Sequence, residues 1–590
     1  MSTNVSRTAA RGAFYLIENT DPQNVFTPED LSQEHQMIIE TTRAFVEHEI
    51  LPVQEQLEHQ DWDLTVKLLR KAGDLGLLAA DVPEAYDGLG ADKATSALIS
   101  EYLSRGGSFA LSHGAHVGIG SLPIVFFGTE AQKQKYLPKL ASGEWLSAYA
   151  LTEPGSGSDA LGAKTTATLS ADGQYYILNG TKQFITNAGF ADVFVVYAKI
   201  DGDKFSAFIV EKDFPGVSTG VEEKKMGIKA SSTRQLILED AKVPVENLLG
   251  EIGRGHVIAF NILNIGRYKL AVGAVGAMKA ALEHAVVYGN SRKQFGKPIT
   301  SFPLIQQKIA EMNTLAFVTE SANYRATGDI DVSLESVDTS DGHAVADAIA
   351  EYALECSVLK VFGSEALDKV VDEGVQIFGG AGFIQDYGME RMYRDARINR
   401  IFEGTNEINR MLIPNTLLRK AMKGELPLLQ KAQELQAELM QLTPPSGDWD
   451  TLERETYMLE MMKKIFLFVG GVAVQTYQTK LKDEQEALAA IADIAIQIYV
   501  LESAILRTKK AIAAGHDAEN KIDMTVAFAD KAYAAVEQTA KTLLASIAEG
   551  DMLRTQLSML RKLTRVQPVN TVAIHRRIAQ RVIAAEKYQA

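Results

Sequence analysis

The sequence predicts a mostly helical α+β protein: an N-terminal helical domain, a central antiparallel β domain, a four-helix domain and an additional helical C-terminal domain. Three observations predict it. Apolar residues recur at helical spacing on both sides of a central segment. Strand-rich runs with Asp-Gly turns are confined to residues 149–254. Strands and helices do not alternate along the chain, which excludes a doubly wound sheet.

Over 28–148, HQMIIETTRAFVEHEI and LTVKLLRKAGDLGLL carry the helical repeat, the turn VPEAYDGLGAD follows, and a second helical group closes on KYLPKLASGEW. Over 149–254, KTTATLSADGQYYILNG places two β-rich runs around Asp172-Gly173, ADVFVVYAKIDGDKFSAFIVEKD repeats the device, and STRQLILEDAKV adds a strand. Over 255–428 the spacing predicts four long helices, the third being one unbroken element from HAVADAIAEY through DEGVQIFG. A linker, LTPPSGDWD (442–450), leads into a wholly helical module over 445–590.

A chain of 590 residues can bury several cores. Its formal charge of −15 argues against a nucleic-acid binder, which would carry a basic face. The single cysteine, Cys356, excludes an intramolecular disulfide framework and suits a reducing compartment. The N-terminal stretch has no apolar h-region, and IFLFVGGVAV (465–474) is about half of the ~20 residues that span a bilayer. The expected location is the cytoplasm, with neither signal peptide nor transmembrane segment.

Common cofactor signatures are missing: there is no GxGxxG, no Walker A pattern and no GxSxG elbow. His113 and His116 lack further ligands, so they read as helix histidines and no metal is expected. Four stretches remain. YALTEPGSGSDA (149–160) offers hydroxyls and exposed backbone N–H groups at a glycine-rich turn. SRKQFGKPI (291–299) sets Arg292, Lys293 and Lys297 around Phe295, which suits a phosphate with an aromatic contact, although a solvated helix end explains it nearly as well. VQIFGGAGF (375–383) has more glycines than a helix cap requires. IFEGTNEINR (401–410) puts Glu403 directly before a glycine.

In this order and spacing, with Phe184 and Thr186 after the first hairpin, these stretches resemble the acyl-CoA dehydrogenase flavoprotein family over roughly residues 30–425. The resemblance implies that family's fold, FAD as cofactor and acyl-CoA as substrate. It implies that Tyr149, Leu151, Thr152, Gly157, Ser158, Phe184 and Thr186 line the flavin, with Thr405 and Glu407 near the FAD. It also implies that Arg292, Phe295, Gln376 and Gly380 reach the pyrophosphate and adenosine of FAD on a neighbouring subunit, making the protein at least a homodimer. The resemblance further implies that Glu403 takes the role of α-proton base and that Ser158, Asn264, Arg267, Phe402 and Gly404 belong to the substrate side. Some relatives carry the base one residue before the arginine; here that position is Gly266. Pro303 stands where many relatives have a glutamine near the adenine.

The C-terminal module, HGAHVGIG (113–120), Phe402 and NIGR (264–267) resemble the very-long-chain branch. Gly114, Ala115 and Gly118 lie where the family closes the acyl pocket, and small side chains there leave room for a long tail. The expected function is dehydrogenation of long-chain acyl-CoA to trans-2-enoyl-CoA, the first step of fatty acid β-oxidation, with electrons passed to an electron-transfer flavoprotein. An FAD-binding scaffold on the same fold and an acyl-CoA oxidase using O₂ are the alternatives. YMLEMMKKIFLFVGGVAV (457–474) reads as buried core in preference to a peripheral membrane contact.

Overall fold

The computed structural model describes residues 10–442 and 447–590, so the linker expected at 442–450 lies partly outside the described residues. The N-terminal helices are α1 (Gln33–Phe45), α2 (Gln54–Glu58), α3 (Trp62–Asp74), α4 (Lys93–Leu103), α5 (Phe109–Gly114), α6 (Leu122–Phe127) and α7 (Glu130–Ser142). Their starts are encoded locally: Ser32, Asp61, Asp92 and Thr129 each accept a backbone N–H from the first turn of the helix they precede. Between α5 and α6, Ala115–Gly120 widens to a π-helix, a rare geometry that tends to mark functional sites.

The β domain comprises β1 (Ser147–Ala150), β2 (Thr166–Leu169), β3 (Tyr175–Thr186), β4 (Val193–Ile200), β5 (Lys204–Glu211), β6 (Val217–Thr219), β7 (Thr233–Pro244) and β8 (Leu248–Leu249). Both expected hairpins form, β2–β3 and β4–β5. Asp201 and Gly202 take positive φ in the three-residue loop that joins β4 to β5. The sheet runs β6-β7-β3-β2-β4-β5-β8 with β1 on β4. It is antiparallel except where β4 pairs in parallel with β1 and with the first two residues of β2.

The following helices are α8 (Gly255–Ser291), α9 (Pro303–Glu335), α10 (Gly342–Ala350), α11 (Ala353–Phe378), α12 (Gly380–Phe383), α13 (Met389–Ala396) and α14 (Asn406–Met422), with the small hairpin β9 (Lys293–Gln294) and β10 (Lys297–Pro298) between α8 and α9. The helix expected to run unbroken through 343–379 is two elements, α10 and α11. At the break, the N-terminal arm packs its backbone onto the chain: a Cβ on Gly12 would stand 2.0 Å from the Glu351 carbonyl oxygen. Glu351 and Glu355 accept the N–H groups of Gly12 and Ala13 at 2.8 and 2.6 Å.

The last helices are α15 (Leu428–Gln441), α16 (Glu453–Tyr477), α17 (Gln485–Ala513), α18 (Glu519–Ile547), α19 (Gly550–Leu563) and α20 (Thr571–Ala585). They share one continuous apolar core with α8, α9 and α11. Buried ion pairs cross the seam, Arg325–Glu502 at 2.8 Å and Arg507–Glu320 at 2.7 Å; breaking one partner of such a pair strands the other charge. Met458, Leu459, Met462, Ile465, Phe466 and Val469 of α16 are buried, so the 457–474 stretch is core. Phe109–Phe127, α8 and α17 are long and apolar enough to cross a membrane, yet 56–78% of each apolar window is buried against neighbouring elements.

Candidate active site

Glu403 stands in the short turn between the 3₁₀ segment Arg397–Arg400 and the N-terminus of α14, with φ +58° followed by Gly404 at +80°. A non-glycine residue in the left-handed region is uncommon and persists where its surroundings impose it. Here they do. Arg267, on α8, donates from Nε to the Glu403 carbonyl at 3.1 Å. Lys360, buried on α11, donates to the Gly404 carbonyl and to Asn406 Oδ1, both at 2.7 Å. Asn409 donates to the Gly404 carbonyl at 2.9 Å, and the Thr405 hydroxyl caps α14 by accepting the Ile408 N–H at 3.2 Å.

The carboxyl group itself is treated differently from the backbone that carries it. Its Oε2 is buried without a hydrogen-bond partner among the described residues. Burial is the main influence and pushes its pKa up to about 7, against the opposing pull of Arg267 and Lys360. The carboxyl lies over Gly266: a Cβ there would be 2.5 Å from Oε2. Any side chain at 266 would therefore occupy the place that the Glu403 carboxylate fills.

From Glu403 a cavity of about 1440 Å³, open mouth included, runs along one stripe of α8: Gly266, Leu270, Gly273, Ala274, Ala277 and Ala280. The stripe follows helical periodicity, and fourteen residues at ~1.5 Å each give it a length of about 21 Å. The opposite walls come from α5 and the π-helix, through Gly114, Ala115 and Gly118, and from the 391–402 segment, through Met392, Ala396, Ile398 and Phe402. A Cβ on Gly114 would meet nothing within 4 Å, so the glycine leaves space open.

The other expected residues form two separate groups. Tyr149 lies in β1 and Leu151 and Thr152 follow it, while Phe184 and Thr186 stand at the end of β3; the Gln183 N–H donates to the Thr152 carbonyl at 2.8 Å and holds the two segments together. A buried pair, Lys182–Glu153 at 2.7 Å, fixes the glycine turn, and Gly157 and Ser158 stay exposed on it. Thr186 reaches the cavity wall. The second group lies at the far end of α8. Tyr288 stacks on Phe378 with ring centroids 4.0 Å apart, bringing the β9–β10 turn with Arg292 and Phe295 beside Gln376 and Gly380. Arg267 and Arg292 are twenty-five residues apart on this helix, about 37 Å at ~1.5 Å per residue.

Three expected residues have other duties. Asn264 does not line the cavity; its Oδ1 accepts from Arg267 at 2.8 Å and steadies that guanidinium. Gly404 is likewise off the cavity wall, its carbonyl serving as the anchor for Lys360 and Asn409. Glu407 is exposed in the first turn of α14, where an acid suits the helix N-terminus. His113 and His116 donate from Nε2 to the backbone carbonyls of Leu77 and Leu140 at 2.8 and 2.9 Å. No cluster of metal-ligating side chains occurs among the described residues.

Sequence reasoning missed Lys360 and Asn409, which hold the Glu403 turn. A lysine inside the apolar run SVLKVF was the available signal for the first; nothing local marks the second.

Comparison with known proteins decides the family. Models of the acyl-CoA dehydrogenase N-terminal, middle and C-terminal domains match residues 32–144, 148–241 and 253–418, and a further acyl-CoA dehydrogenase C-terminal domain model matches 461–562. The chain belongs to the acyl-CoA dehydrogenase family. A protein of Bacillus subtilis (strain 168) named Probable acyl-CoA dehydrogenase is 58% identical over 583 residues, 98% of each chain. The very long-chain specific acyl-CoA dehydrogenase of Homo sapiens mitochondria is 36% identical over 481 residues, 75% of this chain and 70% of that one. A crystal structure of an acyl-CoA dehydrogenase complexed with FAD from Bacillus anthracis superposes with a TM-score of 0.97 at 58% identity, covering 99% of this chain and 100% of that one.

FAD is the cofactor of this family, and the residues of this acyl-CoA dehydrogenase fit it. Phe184 and Phe295 are 63% and 93% exposed and both sit at positive φ. Two large aromatics held outward in a strained backbone are what flat heterocycles would cover. At Gly155, Gly157, Gly379 and Gly380 a Cβ would meet nothing within 4 Å, so the backbone is open to close approach. Arg292 makes no ion pair among the described residues and is free for a phosphate.

Proposed function

We propose that the protein is an FAD-dependent long-chain acyl-CoA dehydrogenase in which Glu403 removes the α-proton of the acyl thioester to give trans-2-enoyl-CoA. The observation that carries this reading is the Glu403 carboxyl: its Oε2 is buried and unpartnered among the described residues, and it sits at one end of a cavity whose α8 wall is a stripe of glycine, alanine and leucine.

The chain's own groups divide the work. A carboxylate with a pKa near 7 is a far better general base than one at 4.5, because half of it remains deprotonated at neutral pH while its affinity for a proton has risen. An α-proton of a thioester still leaves only if charge developing on the carbonyl oxygen is stabilised. The Glu403 backbone N–H has no acceptor among the described residues and is available for that oxygen. Arg267, Lys360 and Asn409 bond to the carbonyls of this turn and keep the base and that N–H in fixed relation. FAD, when bound, supplies the acceptor for the β-hydride. Tyr149, Thr152, Ser158, Phe184 and Thr186 would hold its ring end, while Arg292, Phe295, Gln376 and Gly380 would receive the nucleotide end from a second copy of the chain.

Length preference rests on the tunnel. With C–C bonds of ~1.5 Å, an extended alkyl chain advances about 1.25 Å per carbon, so the ~21 Å stripe on α8 matches roughly sixteen carbons. The reading includes electron delivery to an electron-transfer flavoprotein, a place at the start of β-oxidation, a cytoplasmic location and at least a homodimer.

Anaerobic mixing of the purified holoprotein with palmitoyl-CoA tests it, alongside Glu403→Gln reconstituted with FAD. Rapid flavin bleaching in the wild type alone is expected. No bleaching with any chain length would favour a scaffold; equal bleaching in both would remove Glu403 from the role of base. Peroxide formed at the turnover rate in air, without another acceptor, would identify an oxidase.

A further inference from the structure

Between β6 and β7 the chain makes a loop, residues 220–232, without regular structure, long enough that a purpose is expected of it. It ends up against α13. The Ile228 N–H donates to Asp395 Oδ1, Arg394 donates to the Met226 carbonyl at 2.8 Å, and a Cβ on Gly227 would stand 2.5 Å from the Arg394 carbonyl oxygen. The N-terminal domain joins the same junction. Arg394 pairs with Glu58 at 2.8 Å, Arg391 donates to Gln54 at 2.7 Å, and the Ala230 N–H donates to Ser108 Oγ at 3.2 Å.

Ile228 sits at φ +49°. For a β-branched residue the left-handed region is a true outlier that something must impose. Ile228 and Asp395 both face the acyl cavity, together with Gln54, Ser108 and Met392. Three domains thus meet at a seam in the tunnel wall, and one strained peptide closes it.

We infer that Asp395 is a specificity-determining positioning residue: by accepting the Ile228 N–H it holds the 226–230 loop shut as the side wall of the distal acyl tunnel. This rests on the long-chain reading above. Asp395 precedes Glu403 by eight residues, partly through 3₁₀ structure with ~2 Å rise, which bounds the seam at no more than about 12–16 Å from the base. A six-carbon tail, about 7.5 Å long, is the probe expected to stop before it. Burial pushes the Asp395 carboxyl up to about 6, and in either protonation state an oxygen remains to accept the N–H.

The experiment compares kcat/KM for palmitoyl-CoA and hexanoyl-CoA in the FAD-loaded wild type, Asp395→Leu, Asp395→Asn and Ile228→Ala, with Kd for trans-2-hexadecenoyl-CoA as a readout independent of turnover. Asp395→Leu is expected to lose roughly 10-fold with palmitoyl-CoA, mostly as raised KM, and less than roughly 3-fold with hexanoyl-CoA, since one to two methylenes' worth of wall contact is at stake. Asp395→Asn, which keeps the acceptor, should retain the wild-type ratio. Ile228→Ala, which keeps the N–H and trims the wall, should also weaken long-chain binding selectively, and it serves if Asp395→Leu does not fold. Equal losses at both lengths, or an unchanged ratio in Ile228→Ala, would overturn the inference. A wild type inactive on palmitoyl-CoA but active on hexanoyl-CoA would instead overturn the long-chain reading.

Discussion

The two ends of α8 solve opposite problems. At the Arg267 end, the strained backbone of the Glu403 turn finds its partners within the same chain, in Arg267, Lys360, Asn409 and the Thr405 cap, and only the carboxyl Oε2 is left without one among the described residues. At the Arg292 end, Phe295 projects almost fully exposed at positive φ, Gln376 and Gly380 are exposed, and Arg292 has no ion-pair partner among the described residues. One end is over-determined before any ligand arrives; the other is left open by its own chain. On the proposed reading the difference has a reason: catalytic groups must be fixed to within fractions of an ångström, whereas the nucleotide end of FAD needs only a surface that becomes buried when a second copy and the ligand meet.

Breaking the inner end should have the larger effects. Glu403→Gln is expected to cost at least ~10²–10⁴-fold in kcat while FAD binding persists, measured as turnover per bound flavin. Gly266→Ala comes next: its methyl would stand 2.5 Å from Oε2, and a displacement of about 1 Å at a reacting group costs on the order of 10²-fold. Lys360→Met removes the charge-assisted bonds to Gly404 and Asn406 and should lower kcat roughly 10-fold, a loss of about 1.5 kcal/mol, the low end for a charged hydrogen bond. A kcat unchanged in Lys360→Met would mean that Arg267 and Asn409 suffice to hold the turn.

The outer end should respond in a different quantity. Phe295→Ala is expected to lower the FAD content of purified protein and to weaken subunit association, while molecules that retain FAD turn over within roughly 3-fold of wild type. Flavin absorbance per chain and sedimentation would read this. A kcat lowered at full FAD occupancy would break the division between the two ends.

Much of this was legible in the residues. The domain order followed from periodicity and from turn dipeptides, which are local signals. The hairpins at Asp172-Gly173 and Asp201-Gly202 formed where those dipeptides stand. The pairing of β1 with β4 in parallel was not legible, because Ser147 meets Val193 across forty-six residues and nothing within either strand names its partner. The division of α10 from α11 was hidden for the same reason: the arm that packs there begins more than three hundred residues earlier. Glu403 was readable because a motif surrounds it. Lys360 and Asp395 act through bonds to distant backbone, and the sequence shows only a lysine in an apolar run and an acid in a charged one.

The smallest predicted effect concerns stability, and it tests the burial of the base without any substrate. The folded protein holds the Glu403 proton up to about pH 7, whereas the unfolded chain releases it near the ordinary value of 4.5. The folded state therefore binds more protons between those values, and unfolding free energy falls as pH rises through that window. The contribution is fully present below about pH 4.5 and gone above about pH 7; at most it is about 3 kcal/mol. Glutamine carries no such proton, so Glu403→Gln should gain thermal stability over the wild type on going from pH 5 to pH 8, by a few degrees in midpoint. The comparison must be made on the difference between the two proteins, since other buried carboxyls, such as Glu355 at about 7, titrate in both. A difference that is constant with pH would place the Glu403 carboxyl in water, and the site would then lack the environment that makes a carboxylate a strong enough base.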